Sequence, residues 1–171
     1  EVDVDAMLAD MLAQRLGRIA NEDLTTGTGV GEPEGVLTNV TNGVTAVNSA
    51  GWTTKWDYDH IVDLEHSVDR AYRSERSAFM MNDLTLAVTR KVKDLEGRPI
   101  FTTAMTAGEP DRLLGRPIII NNDMPVMAAS AKSVIFGDFT AGYRARVVKD
   151  ITLIRATERW VDALQVGFFA F

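Results

Sequence analysis

The stretch Thr25-Thr26-Gly27-Thr28-Gly29-Val30-Gly31-Glu32-Pro33-Glu34-Gly35, running into Val36-Leu37, governs how the rest of the 171 residues is read. Glycines after a secondary element can cradle phosphate at a helix N-terminus. The spacing here fails that test. A dinucleotide fingerprint needs glycine where Glu32 or Glu34 stands, and two carboxylates repel a pyrophosphate. The preceding element reads as a helix and the following one as a strand, the reverse of what a phosphate loop requires. No Gly-Lys-Ser/Thr occurs for a nucleoside triphosphate. The glycines are therefore expected to supply positive φ angles for a sharp turn.

Upstream, Val4, Leu8, Met11, Leu12, Leu16 and Ile19 recur at three and four, which predicts a helix with one buried stripe. Arg15 and Arg18 are assigned to its last turns and Gly17 and Asn21 to its loosening end. Downstream, Asn42-Gly43 predicts a tight turn between strands Val36–Val40 and Val44–Val47. A second helix is expected from Tyr58 to about Met80. A third starts at the N-cap Asn82, with Leu84, Val88, Val92 and Leu95 as its stripe and Gly97 as its stop. Short β-prone runs follow at Pro99–Thr103, Pro117–Ile120, Ser133–Phe136, Tyr143–Val148 and Ile151–Ile154. Alternation from Trp160 to Phe169 predicts one long closing strand.

Composition removes several classes of function. With 46% hydrophobic and 25% charged residues the chain is globular rather than disordered. Its longest uncharged apolar runs fall short of the ~18–20 residues of a membrane span, so a soluble chain is expected. A net charge of −6 without a basic block argues against sequence-specific nucleic acid as a partner. The absence of cysteine excludes a disulfide framework, a thiolate zinc site and a cysteine nucleophile. The start at Glu1 and the apolar end Val166–Phe171 suggest a piece of a longer polypeptide.

The densest set of metal-ligand types is Asp57, Asp59, His60, Asp63, Glu65 and His66. His60, Asp63 and His66 share a helix face and offer a metal-dependent enzyme or binding site as an alternative function. The bland reading favours acids at the helix start and a solvated face beyond them. Neither a His-Glu-x-x-His nor a Gly-x-Ser-x-Gly elbow is present. Asn39-Val40-Thr41 fits a glycosylation acceptor, which matters only in a secretory context. No catalytic, metal or cofactor residue is assigned, and no cofactor is expected.

One ordered series remains: Gly27-Thr28-Gly29-x-Gly31-x-Pro33-x-Gly35-Val36-Leu37, Tyr72, Ala78-Phe79-Met80-Met81-Asn82-Asp83, Leu95-x-Gly97-Arg98-Pro99-Ile100, Leu114-Gly115-Arg116-Pro117-Ile118, Asn122-Asp123-Met124-Pro125 and Gly137-Asp138-Phe139-x-x-x-Tyr143. It resembles the major capsid protein of tailed bacteriophages, the Hong Kong 97-like family. The resemblance implies an α+β fold with residues 1–34 as the end of a spine helix and linker in a peripheral lobe. Residues 35–140 correspond to the axial lobe at the capsomer centre, and 141–171 to return strands into the peripheral lobe. It also implies that the N-terminal arm, extended loop and final strand of the family lie outside this chain.

The implied structural residues are Gly29, Gly31, Pro33, Gly35, Asn82, Gly97, Gly115, Pro117, Pro125, Gly137, Asp138 and Phe139. The loop Gly108, Glu109, Pro110, Asp111 and Arg112 is the candidate inter-subunit contact. The implied function is self-assembly into pentamers and hexamers of a virion shell built in the bacterial cytoplasm, with scaffold, portal and decoration proteins as further partners and no membrane. A nanocompartment shell protein of the same fold is the other reading. Relatives that weld subunits by a lysine–asparagine bond draw the lysine from the extended loop, and Ala163 lies near where their asparagine falls, so crosslinking is not expected.

Overall fold

The computed structural model describes residues 4–46, 56–93, 112–148, 153–156, 158–159, 161–163 and 166–170. The chain divides into two compact units, Asn21–Arg144 and the combination of Glu1–Ala20 with Ala145–Phe171.

Helix α1 spans Val4–Thr26, longer than the sequence pattern predicts. Leu8, Leu12 and Leu16 are half-buried, whereas Met11 and Ile19 of the same stripe are exposed. Arg15 and Arg18 are mid-helix, and the last turn holds no basic residue. Glu22 and Asp23 even oppose the macrodipole there. The helix continues because its orphan carbonyls are answered from beyond the glycine loop: the Val36 and Leu37 N–H groups donate to Leu24 O and Thr25 O at 2.9 and 3.1 Å. Those amides are thus not free for a ladder, so Val36–Leu37 forms a turn, and residues 40–46 lie outside any strand, instead of the expected hairpin. Gly43 fits closely against Ser67, where an added Cβ meets its Oγ at 2.4 Å.

Gly17 has no such role. Nothing lies within 4 Å of a Cβ built on it. Gly17→Ala is expected to stabilise α1 by about 0.5–1 kcal/mol, because alanine loses less backbone entropy in a helix interior. A raised thermal midpoint checks this, and an unchanged or lowered one contradicts it.

Helix α2 covers only Tyr58–Ser67 and is followed by a 3₁₀ turn at Arg70–Tyr72. The run Ala78–Met81, expected as the end of that helix, is strand β1. Helix α3, Asp83–Thr89, starts at Asn82, whose side-chain oxygen accepts the Leu84 N–H at 2.9 Å. Its buried residues are Thr85, Leu86 and Thr89, while Leu84, the head of the expected stripe, is 63% exposed. Leu95, Gly97 and the strand expected at Pro99–Thr103 lie outside the described residues.

Strands β2 (Arg112–Leu113), β3 (Arg116–Ile120) and β4 (Val134–Gly137) complete a four-stranded sheet of order β2-β3-β1-β4. β1 runs parallel to β3 and antiparallel to β4, with Phe79 opposite Ile118 and Phe136. The central strand is buried on both faces. Phe79, Met81, Phe136 and Leu113 pack with Trp56, Ile61 and Leu86. Met80 packs on the second cluster, Leu37, Met124 and Ile135. Short helix α4, Phe139–Gly142, follows β4.

Residues 143–148 are irregular rather than a strand. Strands β5 (Leu153–Ala156) and β6 (Gly167–Ala170) pair antiparallel. A 3₁₀ turn at Val161–Ala163 breaks the long closing strand that alternation predicted. Among the described residues no helix is long and apolar enough to cross a membrane.

Candidate assembly elements

The glycine loop is held at two levels. At its base, Gly35 N–H donates to Gly27 O at 2.8 Å and Thr38 Oγ1 donates to the same carbonyl at 2.8 Å. A Cβ on Gly27 would meet Pro33 O at 2.2 Å, and one on Gly35 would meet Gly27 N at 2.5 Å. Pro33 and Gly35 are thus parts of one close backbone crossing. Above it, Thr28 and Glu34 form an antiparallel bridge, and Tyr143 OH donates to Glu34 O at 2.9 Å. Glu32 Oε1 accepts both the N–H and the hydroxyl of Thr28 at 2.8 Å, which holds its carboxyl below the usual carboxylate range. Gly29 and Gly31, at φ +80° and +77°, supply the positive φ that the sequence reading requires.

A second set of contacts gathers around Asn82. Its Nδ2 donates to Asn122 O and Met124 O at 2.9 and 3.1 Å, so the N-cap of α3 also ties down the segment after β3 that holds Pro125. Asn121 extends the network by donating to Thr25 Oγ1 at 2.9 Å and accepting from Asn21 Nδ2, which also donates to Asp123. Sequence spacing singles out Asn82 but not Asn21 or Asn121, whose partners stand about a hundred residues apart.

Leu114 and Gly115, at φ +51° and +76°, make the two-residue turn of the β2–β3 hairpin. Pro117 follows in β3, opposite Arg112. Leu114 accepts the left-handed conformation while packing on the first core cluster. Arg116 pairs with half-buried Glu65 at 3.3 Å and donates to Ser74 O at 2.7 Å, a brace that no sequence motif announces. Lys132 Nζ similarly clips the turn after the glycine loop, donating to Leu37 O and Val40 O at 3.0 and 2.8 Å.

Gly137 pairs with Ala78 at the end of β4. Asp138 then caps α4, accepting from Thr140 N–H at 3.0 Å and from Ser74 Oγ at 2.6 Å. The Ser74 hydroxyl, then the Thr140 hydroxyl, hold its pKa down from the ordinary 3.8 to about 2. Because the folded state binds this proton less readily than the unfolded one, the cap contributes fully above about pH 4. Its contribution is lost as pH falls towards 2. Asp138→Asn is expected to flatten the decline of the thermal midpoint between pH 4 and 2. An unaltered acid profile contradicts the assignment.

Of the candidate contact loop, Gly108, Glu109, Pro110 and Asp111 lie outside the described residues, as does Gly97. Arg112 is exposed in β2 and donates to Gly115 O at 3.2 Å. The alternative metal set is not gathered. His60 Nδ1 accepts the Asp57 N–H at 3.1 Å, His66 Nδ1 lies 3.3 Å from Arg73, and Asp63 is exposed. Among the described residues no three His, Asp or Glu side chains could hold a metal ion together.

A family model described as the phage capsid family matches residues 1–171. The chain belongs to the phage capsid family. Two solved structures place this capsid-family chain among assembled particles. The capsid of an empty GTA particle, computed with C5 symmetry, is 31% identical with a TM-score of 0.76, over 98% of this chain and 60% of that one. The capsid of the native GTA particle is 33% identical with a TM-score of 0.65, over 80% and 54% respectively. The capsid-family chain thus spans between half and two thirds of the length of those capsid chains. No curated protein matches it. The α+β fold and the capsid resemblance carried by the glycine loop and its companion motifs are both borne out.

Proposed function

We propose that this chain is part of a major capsid protein of a tailed phage or prophage, a structural protein rather than an enzyme. In its full-length form that protein assembles into pentamers and hexamers and closes an icosahedral shell around the genome, in the host cytoplasm and then the virion. The observation that carries this reading is the family match over residues 1–171, joined by capsid chains at 31% and 33% identity. The mechanism is burial at repeated heterologous contacts, in which one patch meets a different patch on the next copy and the ring closes. Many contacts of moderate strength then hold a particle by multivalency.

In this reading residues 1–34 and 141–171 belong to a peripheral lobe and 35–140 to the axial lobe. The loop Gly108–Arg112 forms a contact near the capsomer axis, where Glu109, Asp111 and Arg112 offer both charge signs. Scaffold, portal and decoration proteins are the candidates for further partners. Electron microscopy of the full-length gene product tests the whole reading. Closed shells are expected, and a soluble monomer with enzymatic activity ends it. Charge reversal at Glu109 and Arg112 tests the loop, and assembly at the normal yield removes it from the interface.

A further inference from the structure

The glycine loop ends in a side chain with no intramolecular use. Val30 is 85% exposed and belongs to neither apolar core. A lone exposed valine is ordinary on a protein surface. What sets this one apart is the support beneath it.

Two positive-φ glycines flank it, the bridge of Thr28 with Glu34 closes the stem, and the Glu32 carboxylate locks Thr28 from inside the turn. The close crossing of Gly27 and Gly35 anchors the base, and Tyr143 fixes the far strand through Glu34 O. A loop so constrained has lost most of its conformational entropy before any partner arrives, which is the condition under which a small contact gives useful affinity. Valine adds to this, since branching at Cβ leaves its side chain little rotamer freedom to lose on burial.

We propose that Val30 is a preformed apolar knob that inserts into an apolar socket on a second copy of this chain. The choice of occupant rests on the capsid reading above. The two similar capsids were solved as particles with C5 symmetry, and alignment over 98% of this chain in one of them takes in the loop. A ring of that symmetry is built from heterologous contacts, so knob and socket lie on different surfaces of each subunit. The tip suits an apolar socket because it presents only Gly29, Val30 and Gly31, while the nearest carboxylate, Glu32, is turned back onto Thr28.

The test uses the full-length gene product in two forms. In the first, Val30→Asp, the particle yield at fixed subunit concentration is expected to fall at least about tenfold, with an unchanged melting midpoint of the unassembled subunit. In the second, a diazirine-bearing amino acid at position 30 is photolysed in assembled particles. Mass spectrometry is expected to map the crosslink to a second copy, and dissociated subunits to give none. Particles of Val30→Asp at normal yield overturn the knob and leave the capsid reading intact. So does a crosslink confined to the same copy or directed to another protein. A wild-type product that forms no particle overturns the capsid reading itself.

Discussion

Gly35→Ala is expected to lower stability by roughly 3 kcal/mol or more, although it adds a single methyl group. The new Cβ would lie 2.5 Å from Gly27 N and 2.7 Å from both the carbonyl carbon and oxygen of Thr25. All three are backbone atoms, so no side chain can rotate away. Relief requires the two chain segments to separate, and that breaks the bonds from Gly35 to Gly27, from Val36 to Leu24 and from Leu37 to Thr25. Overpacking of this kind costs ~1–3 kcal/mol, and each lost backbone bond adds about 1. The effect spreads further, because Leu37 belongs to the cluster with Met124 and Ile135 beneath the sheet. Gly31→Ala is the matched control. It has open space around it and pays only for its positive φ, about 1–2 kcal/mol. Denaturant midpoints of the two variants check the argument, and equal losses would show that the close crossing matters no more than backbone strain.

Phe79→Ala is expected to cost ~3–5 kcal/mol, the range for truncating a buried aromatic. Phe79 has no exposed surface, stands in the central strand, and meets Phe136 at a ring-centroid distance of 4.6 Å with planes tilted by 39°. No neighbour can collapse easily into the space, since the cluster also holds Trp56, Ile61 and Leu86 on the helices above the sheet. Leu84→Ala, by contrast, should fall within about 0.5 kcal/mol of the parent because the side chain is 63% exposed. The pair separates the observed core from the one periodicity predicts, in which Leu84 heads the buried stripe. A large loss at Leu84 would favour the periodic reading.

These two cases mark what the amino-acid order makes legible. The start of α3 could be read because Asn82 acts locally, through an amide two residues away. β3 and β4 could be read because β-prone runs are bounded by turn residues. β1 could not. A four-residue apolar run buried on both faces has the same pattern as a piece of buried helix, and pairing with Ile118–Ile120 and Val134–Gly137 decides between them. The hairpin signal of Asn42-Gly43 fails for a related reason. The amides before it are taken by the C-terminus of α1, and Gly43 serves a close approach to Ser67 instead.

The assembly elements divide in the same way. The need for glycine in the loop was visible in its spacing. The Glu32 lock, the Asn21–Asn121 contact and the Ser74 hydroxyl on Asp138 depend on which segments meet, and nothing local in their sequence announces them.

The place of β1 in the sheet also bears on how the protein is made. Both of its neighbours come later in the chain, first β3 and then β4 beyond it. At roughly 5–20 residues per second, a ribosome leaves Ala78–Met81 with two open edges for several seconds. The nascent chain therefore carries an apolar, strand-forming segment through that interval, at the high local density of a polysome producing a structural protein in quantity. Cellular yield should then depend on chaperone holding during elongation more than on the final stability of the fold, and slow codons between β1 and β4 should raise the insoluble fraction.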